Sequence, residues 1–488
     1  MMMQLRKKEV FSHKRPFAPV KGIALLFLIL SLGPAVAAAA PPDPRTMTFP
    51  PQSFQPPKAE RMTLSNGMIL YLLEDHELPL ISLQTMIRTG DIYEPADKIG
   101  LAGLTGTVMR SGGTGQHRGD EIDEMLDQIA ARLSVGIGTD SGGASLDVLK
   151  KDFDLGLQLL ADILMHPAFE EEKLSIAKNK ALERIRRRND RPSSIASREF
   201  WKEVYGADNP YARESTEETV KSIIQADLIS FHKKYFAPNN MILGVTGDFD
   251  KAEMVKKIEK AFDGWETKAV EFPEVPPATD RKEGGVYHVH RPIPQTQVRI
   301  GHLGIKEENP DSFALSIMND ILGGGGLASR LFQDVRTRQG LAYSVGSVFR
   351  PGKFERGIFL AYGGTRAEAT HKAISTIIDH IRKIQKGLVS DEELRRAKEA
   401  FLNSFIFSFS SPAQIVGRQM SLEYYGLPAD YLEQYRDNVA KVTKKDILRV
   451  AQKYLHPDRL IIFAVGDETQ FDRPLSVLGK VEKIEVTP

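Results

Sequence analysis

The chain is one unit written twice. Laid over itself with a shift of 220, positions 172–206 coincide at Glu172/Glu392, Leu174/Leu394, Ala177/Ala397, Lys178/Lys398, Leu182/Leu402, Pro192/Pro412, Ile195/Ile415, Arg198/Arg418, Tyr205/Tyr425 and Gly206/Gly426. A shift of 219 then matches Val220/Val439, Asp227/Asp446, Lys234/Lys453, Tyr235/Tyr454, Pro238/Pro457, Ile242/Ile461, Gly247/Gly466 and Asp248/Asp467. These are 18 identities over 64 positions, where ordinary composition gives roughly four. Two copies of one fold follow, and the length of 488 residues agrees, because it exceeds what a single hydrophobic core serves.

The periodicities say what each copy contains. Apolar spacing predicts helices over Asp227 to Tyr235 and Asp446 to Tyr454, stopped by prolines and followed by apolar strands at Met241 to Val245 and Leu460 to Val465. Leu70 to Leu73 and Ile81 to Arg88 read as strands, Gly100 to Met109 and Ile122 to Arg132 as helices, and long helices run from about Glu171 to Arg188 and from Asp391 to Phe407. Strands mixed with segregated long helices predict an α+β fold: two homologous domains, each an antiparallel-rich mixed sheet with helices packed on one face. A Pro-bearing, charged stretch places a linker at 272–285, between a first domain over 59–271 and a second over 286–488.

Residues 1–40 stand apart from this pattern. Six Lys/Arg precede the apolar run Ile23 to Leu32, which Gly33-Pro34 breaks before an alanine-rich stretch. That order predicts a signal peptide and an exported chain, periplasmic or extracellular, with no stable membrane span after cleavage. Without these residues the formal charge changes from +1 to −4, so there is no basic footprint for nucleic acid. Residues 41–58 carry seven prolines and read as an extended arm. The absence of Cys removes disulfides, thiolate zinc sites and Cys nucleophiles together.

Several local motifs resemble the insulinase/pitrilysin-type zinc peptidases, the inverzincins that include the mitochondrial processing peptidase. They are Leu64-Ser-Asn-Gly67, Arg88-Thr-Gly90 with Glu94, Gly100-Leu-Ala102, Asp190-Arg-Pro192 and above all the block from Gly323 to Tyr343. The resemblance runs from about Met62 to Asp467 and implies that the two domains form half of a clamshell chamber. In that family an H-x-x-E-H helix supplies two zinc ligands and a water-activating Glu. Here the matching stretch is Gly103-Leu104-Thr105-Gly106-Thr107, and the third ligand position, on the later long helix, falls at Ala177. Gly and Thr do not replace imidazole, and Ala has no donor atom. The resemblance therefore implies a member lacking the zinc motif, with no metal on this chain. His288-Val-His290 shares a strand face but has no third partner at suitable spacing. The scattered His117, His166, His371 and His380 read as surface or capping residues.

The family's substrate-binding parts remain. Arg336 falls near the end of a helix predicted over Ser329 to Gln339, and Tyr343 at the start of a strand over Ala342 to Val348. By spacing alone they read as a helix-end cation and a half-buried aromatic. The resemblance instead implies donors to substrate carbonyls and to a developing oxyanion, facing zinc held by another chain. Gly323, Gly324, Gly325 and Gly326 lack the following Lys-Ser/Thr of a P-loop, and the resemblance implies a substrate-contacting loop. Ser134 and Val135 lie on a stretch that matches a peptide-pairing edge strand, or is an ordinary internal strand. Arg184, Arg186, Arg187, Arg188 and Arg191 form a solvated helix face, or else steer acidic peptides or form an interface.

The expected function is a non-catalytic, substrate-binding subunit of an exported heterodimeric zinc metallopeptidase, inactive alone and partnered by a zinc-bearing homologous subunit and by peptides. The rival readings are a peptidase-fold binding or scaffold protein without a proteolytic role and, more weakly supported, a self-sufficient peptidase with unrecognised ligands.

Overall fold

The protein is described as a computed structural model that covers residues 57–281 and 283–486. The leader at 1–40 and the arm as far as residue 56 lie outside the described residues.

The first half runs β1 Glu60–Thr63, β2 Ile69–Glu74, β3 Leu80–Ile87, α1 Leu101–Ser111, α2 Gly119–Gln128, β4 Arg132–Ile137, β5 Gly142–Leu149, α3 Phe153–Met165, α4 Glu171–Arg186, α5 Pro192–Tyr205, α6 Glu217–Ser222, α7 Gln225–Tyr235, β6 Met241–Gly247 and α8 Lys251–Ala261. The second half runs β7 Gly285–His290, β8 Gln295–Leu303, α9 Ser312–Asn319, β9 Ala342–Arg350, β10 Ile358–Arg366, α10 Thr370–Ile384, α11 Asp391–Phe407, α12 Pro412–Tyr424, α13 Tyr431–Lys441, α14 Lys444–Tyr454, β11 Ile461–Gly466 and β12 Val481–Lys483.

The strands form two six-stranded mixed sheets, in the orders β1-β2-β6-β3-β5-β4 and β12-β7-β11-β8-β10-β9. The orders superimpose strand for strand, as the duplication requires. One difference lies at the outer edge: β1 precedes β2 and pairs antiparallel, whereas β12 comes from the chain's far end and pairs parallel with β7. The near-continuous apolar runs of β6 and β11 reflect burial of both faces in mid-sheet. One face of each sheet carries its own helices over a large core.

The structure adds that the second face is covered too, and by the other half. Helix α5, from the first half, lays Ile195, Phe200 and Val204 against Val289, Leu303 and Phe463 of the second sheet. Helix α12, from the second half, lays Val416 and Met420 against Tyr71 and Ile242 of the first. A glycine lies beneath each crossing: a Cβ on Gly244 would come 2.4 Å from Val416, and one on Gly301 would come 3.0 Å from the Phe200 ring. Polar contacts tie the exchange down. Tyr205 Oη donates to Arg356 O at 2.7 Å, while Glu423 accepts from Arg61 and from Tyr71 Oη at 2.6 Å. The two repeats therefore stabilise each other through exchanged helices.

The helix expected over Ile122 to Arg132 is displaced. It spans Gly119–Gln128 and stops because Ala130 takes a left-handed φ of 51° and Ala131 N bonds back to Leu126 O, so Arg132 opens β4 instead. The region expected as one helix from Ser329 to Gln339 is also different, being wound as a π-helix over Phe332–Arg338.

Candidate functional site

Helix α1 starts from an acidic anchor. Gly100 turns the chain in with φ 106°, and the buried Glu94 carboxylate accepts from Gly100 N at 2.9 Å and Ala102 N at 2.5 Å. Burial pushes this carboxyl up to about 7, outweighing the two backbone N–H bonds that favour its charged form. One helical turn on, Gly103 and Thr107 face solvent, and Thr107 Oγ1 donates to Gly103 O at 2.8 Å. Gly106 faces inward, where a Cβ would stand 2.8 Å from Ile137 N on β4. Ala177, on α4, is buried in the first core. These four positions present only one hydroxyl between them, already turned back on its own helix, so they do not fit a zinc ion.

The histidines do not replace them. His288 Nε2 bonds to Gly466 O at 3.0 Å, and His302 Nδ1 to Leu303 O at 2.8 Å. Among the described residues no three His, Cys, Asp or Glu side chains are grouped to hold a metal.

The block from Gly323 to Tyr343 folds around two π-helical turns, Asp320–Gly324 and Phe332–Arg338. After the second, Gly340 takes φ +61°, its N–H returning to Arg336 O and that of Leu341 to Val335 O, and the chain reverses into β9. The reversal brings Tyr343 back beside Arg336. The Arg336 guanidinium carbon lies 4.6 Å from the Phe332 ring centre and 5.1 Å from that of Tyr343, and the tyrosine is 79% exposed. An exposed phenol braced by a stacked guanidinium is a pair of hydrogen-bond donors held toward solvent.

Asp334 anchors this turn on the opposite side, bonding to His380 Nε2 at 2.7 Å, Arg338 Nη1 at 3.2 Å and Gln339 Nε2 at 3.2 Å. Burial pushes the Asp334 carboxyl up, but the hydrogen bonds from His380 and Gln339 outweigh it and hold the group below its usual range. His380 is therefore buried beneath the site, which corrects its reading as a surface or capping residue. Its place three residues beyond Ile377, on the apolar stripe of α10, is the signal that shows it.

The glycine run divides. Gly323 is buried, a Cβ there standing 2.5 Å from Ser347 N, so it packs closely against β9. Gly325 is half-buried, whereas Gly324 and Gly326 are exposed, the latter with φ +56° beside an exposed Leu327. Ser134 and Val135 lie on β4, the edge strand of its sheet, which among the described residues pairs only with β5; α1 runs beside it, and Arg110 Nε donates to Leu133 O at 2.7 Å. Ser134 Oγ stands 2.8 Å from Ser145 Oγ on the neighbouring strand.

The comparisons with known proteins agree with this duplicated fold and its incomplete site. The family model "Insulinase (Peptidase family M16)" matches residues 72–214, and "Peptidase M16 inactive domain" matches 222–401. The chain belongs to peptidase family M16. A Bacillus subtilis relative described as "Uncharacterized zinc protease YmxG" is 27% identical over 359 residues, covering 72% of this M16 chain and 85% of its own length. A Helicobacter pylori relative described as "Non-peptidase homolog YmxG" is 25% identical over 381 residues, or 77% and 86% of the two chains. A solved structure of a "peptidase M16 inactive domain" from Pseudomonas fluorescens is 26% identical with a TM-score of 0.77, over 86% of this chain and 99% of that one. This M16 chain is thus a peptidase-fold protein whose zinc positions carry no ligands.

Proposed function

We propose that the chain is the non-catalytic, substrate-binding subunit of an exported two-chain zinc metallopeptidase. Arg336 and Tyr343 would be supplied in trans to a homologous subunit that holds the metal on its own residues. One observation carries the reading: the Arg336–Tyr343 pair is built and braced, while Gly103, Gly106, Thr107 and Ala177 offer no metal site. The domains over 59–271 and 286–488, joined by 272–285, would form one wall of the chamber. A substrate would add a strand to the outer edge of β4, and Arg336 and Tyr343 would donate to its carbonyls and to the oxyanion that develops at the scissile bond.

Export rests on the leader at 1–40; no helix of the described residues is long and apolar enough to cross a membrane. The test is reconstitution with a zinc-bearing homologue. The lone chain should cleave no peptide and bind no stoichiometric zinc, and Tyr343→Phe should lower turnover of the pair about 10²-fold or more, as loss of an oxyanion donor does. Unchanged turnover removes the in-trans role. The name of the Helicobacter pylori relative favours a second reading, a binding protein without a proteolytic role. A pull-down that recovers only non-peptidase proteins would select it.

A further inference from the structure

A cleft of about 760 Å³ opens beside the end of β4. Its walls are the β4–β5 turn at Thr139, the N-terminal half of α5, and the end of β9 at Arg350. Arg198, Arg213, Arg299 and Arg350 line it, against a single carboxylate, Glu214. Arg198 is already paired, 2.8 Å from Glu199 and 3.3 Å from Glu214, and Lys202 also reaches Glu214 at 3.1 Å. Arg299 has only neutral partners: it donates to Ser197 Oγ, Val298 O and Ser193 O. Burial lowers its pKa, and no carboxylate acts to restore it. Arg350, exposed at the end of β9, makes no ion pair among the described residues. A second cleft of about 580 Å³ shares Ser194, Arg198 and Glu214 with the first and reaches the end of α4, where Arg184, Arg187, Arg188 and Arg191 outnumber Glu183 and Asp190.

Packing does not account for this arrangement. Holding the part-buried Arg299 without a counter-ion, with Arg350 unpaired beside it, costs stability, so a ligand that supplies the missing negative charge gains what the fold forgoes. Arginine forks match carboxylates in geometry as well as in charge. The position also selects the ligand. Thr139 lies two residues, or roughly 7 Å, beyond the end of β4 at about 3.3 Å per residue, so a peptide laid along the outer edge of that strand runs its next residues into the arginines.

We propose that this cleft is an acidic subsite: it binds Asp or Glu side chains of a peptide just beyond the segment paired with β4, and so selects peptides with an acidic flank. The inference rests on the proposed substrate-binding role and deepens it. The arginine run at the end of α4 thereby becomes the outer part of a binding surface, not merely a solvated helix face.

The test is fluorescence anisotropy of the full chain with two labelled peptides that share an extended segment and end in three Glu or three Gln. The Glu peptide should bind at least about tenfold tighter at low salt and lose most of that advantage in 0.5 M salt. Arg299→Gln with Arg350→Gln should reduce the preference to within about twofold and leave the Gln peptide unaffected. Arg350→Gln alone, at an exposed position, should reduce it in part even if the double variant folds poorly. Equal affinities for the two peptides, or a preference untouched by the arginine variants, overturns the subsite. Such a result leaves the subunit role standing if Tyr343→Phe still impairs the reconstituted pair. Failure to activate any zinc-bearing homologue, with the Glu preference intact, overturns the subunit role and leaves the subsite.

Discussion

The Arg336 guanidinium carbon stands 5.1 Å from the centre of the Tyr343 ring, and the left-handed Gly340 between them is what closes that distance. A π-helical turn delivers the arginine, β9 delivers the tyrosine, and only a sharp reversal lets consecutive elements place both at one point. Gly340 has nothing within 4 Å of a would-be Cβ, so its requirement is conformational and not steric. Gly340→Ala is expected to cost about 1–2 kcal/mol from the left-handed backbone alone. Gly340→Asn should cost less, because Asn tolerates that conformation. Urea titration of the three proteins gives the ranking, and Ala scoring as well as Gly would refute the argument.

How much of this was legible in the sequence follows from what each signal encodes. The duplication carried the fold, because shared identities at Pro192/Pro412 and Tyr205/Tyr425 require equivalent elements whatever their surroundings. The same pair of helices hid the exchange: apolar spacing on α5 and α12 says which face is buried, not which sheet buries it. The juxtaposition of Arg336 and Tyr343 could be anticipated from the block they sit in. The Phe332 brace and the Asp334–His380 anchor could not, since both arise from π winding and from a contact 46 residues apart. Gly323 resembled its neighbours in sequence, and only the closeness of β9 separates it from them.

The helix exchange predicts that the halves unfold together. Phe200 is fully buried, and its helix shares a core cluster with Tyr287, Val289, Leu303, Ile358 and Phe463 of the second half. Phe200→Ala should therefore cost about 3–5 kcal/mol, and the loss should lower a single unfolding transition shared by both halves. Two separate calorimetric transitions, with only one affected, would contradict mutual stabilisation.

Glu94 makes the anchor of α1 sensitive to pH. Its carboxyl is pushed up to about 7 in the folded state, against an ordinary value near 4.5. The folded protein thus holds a proton between those values that the unfolded chain has lost, and this contribution to stability falls as pH rises through the window. Asp91, raised to about 6 by burial, acts in the same direction. His232, lowered to about 4 by burial, acts in the opposite direction by staying neutral where the unfolded chain is charged. A Glu94→Gln variant isolates the effect. Relative to it, the wild type should lose on the order of 2–3 kcal/mol between pH 4.5 and 7. A constant difference across that range, measured by chemical denaturation, would show that Glu94 titrates normally.

Rebuilding the zinc motif should not rebuild a zinc site, because the backbone around α1 has closed where the motif's central residue would stand. Gly103 and Thr107 face solvent and have room for imidazoles. Gly106 does not: a Cβ there would stand 2.8 Å from Ile137 N and 3.1 Å from the Gly136 carbonyl carbon. These are backbone atoms of β4, which cannot move away as a flexible side chain would. A carboxylate at 106 therefore has to push α1 off the strand, and a carboxylate at the buried Ala177 has to open the core between α1 and α4. The variant carrying Gly103→His, Gly106→Glu, Thr107→His and Ala177→Glu is expected to bind well under one zinc per chain by metal analysis after dialysis. Gly106→Ala, the smallest probe of the same contact, should cost about 1–3 kcal/mol as an overpacked interface. One tightly bound zinc in the fourfold variant, or a neutral Gly106→Ala, would mean that α1 and β4 part easily and that only the side chains have been lost.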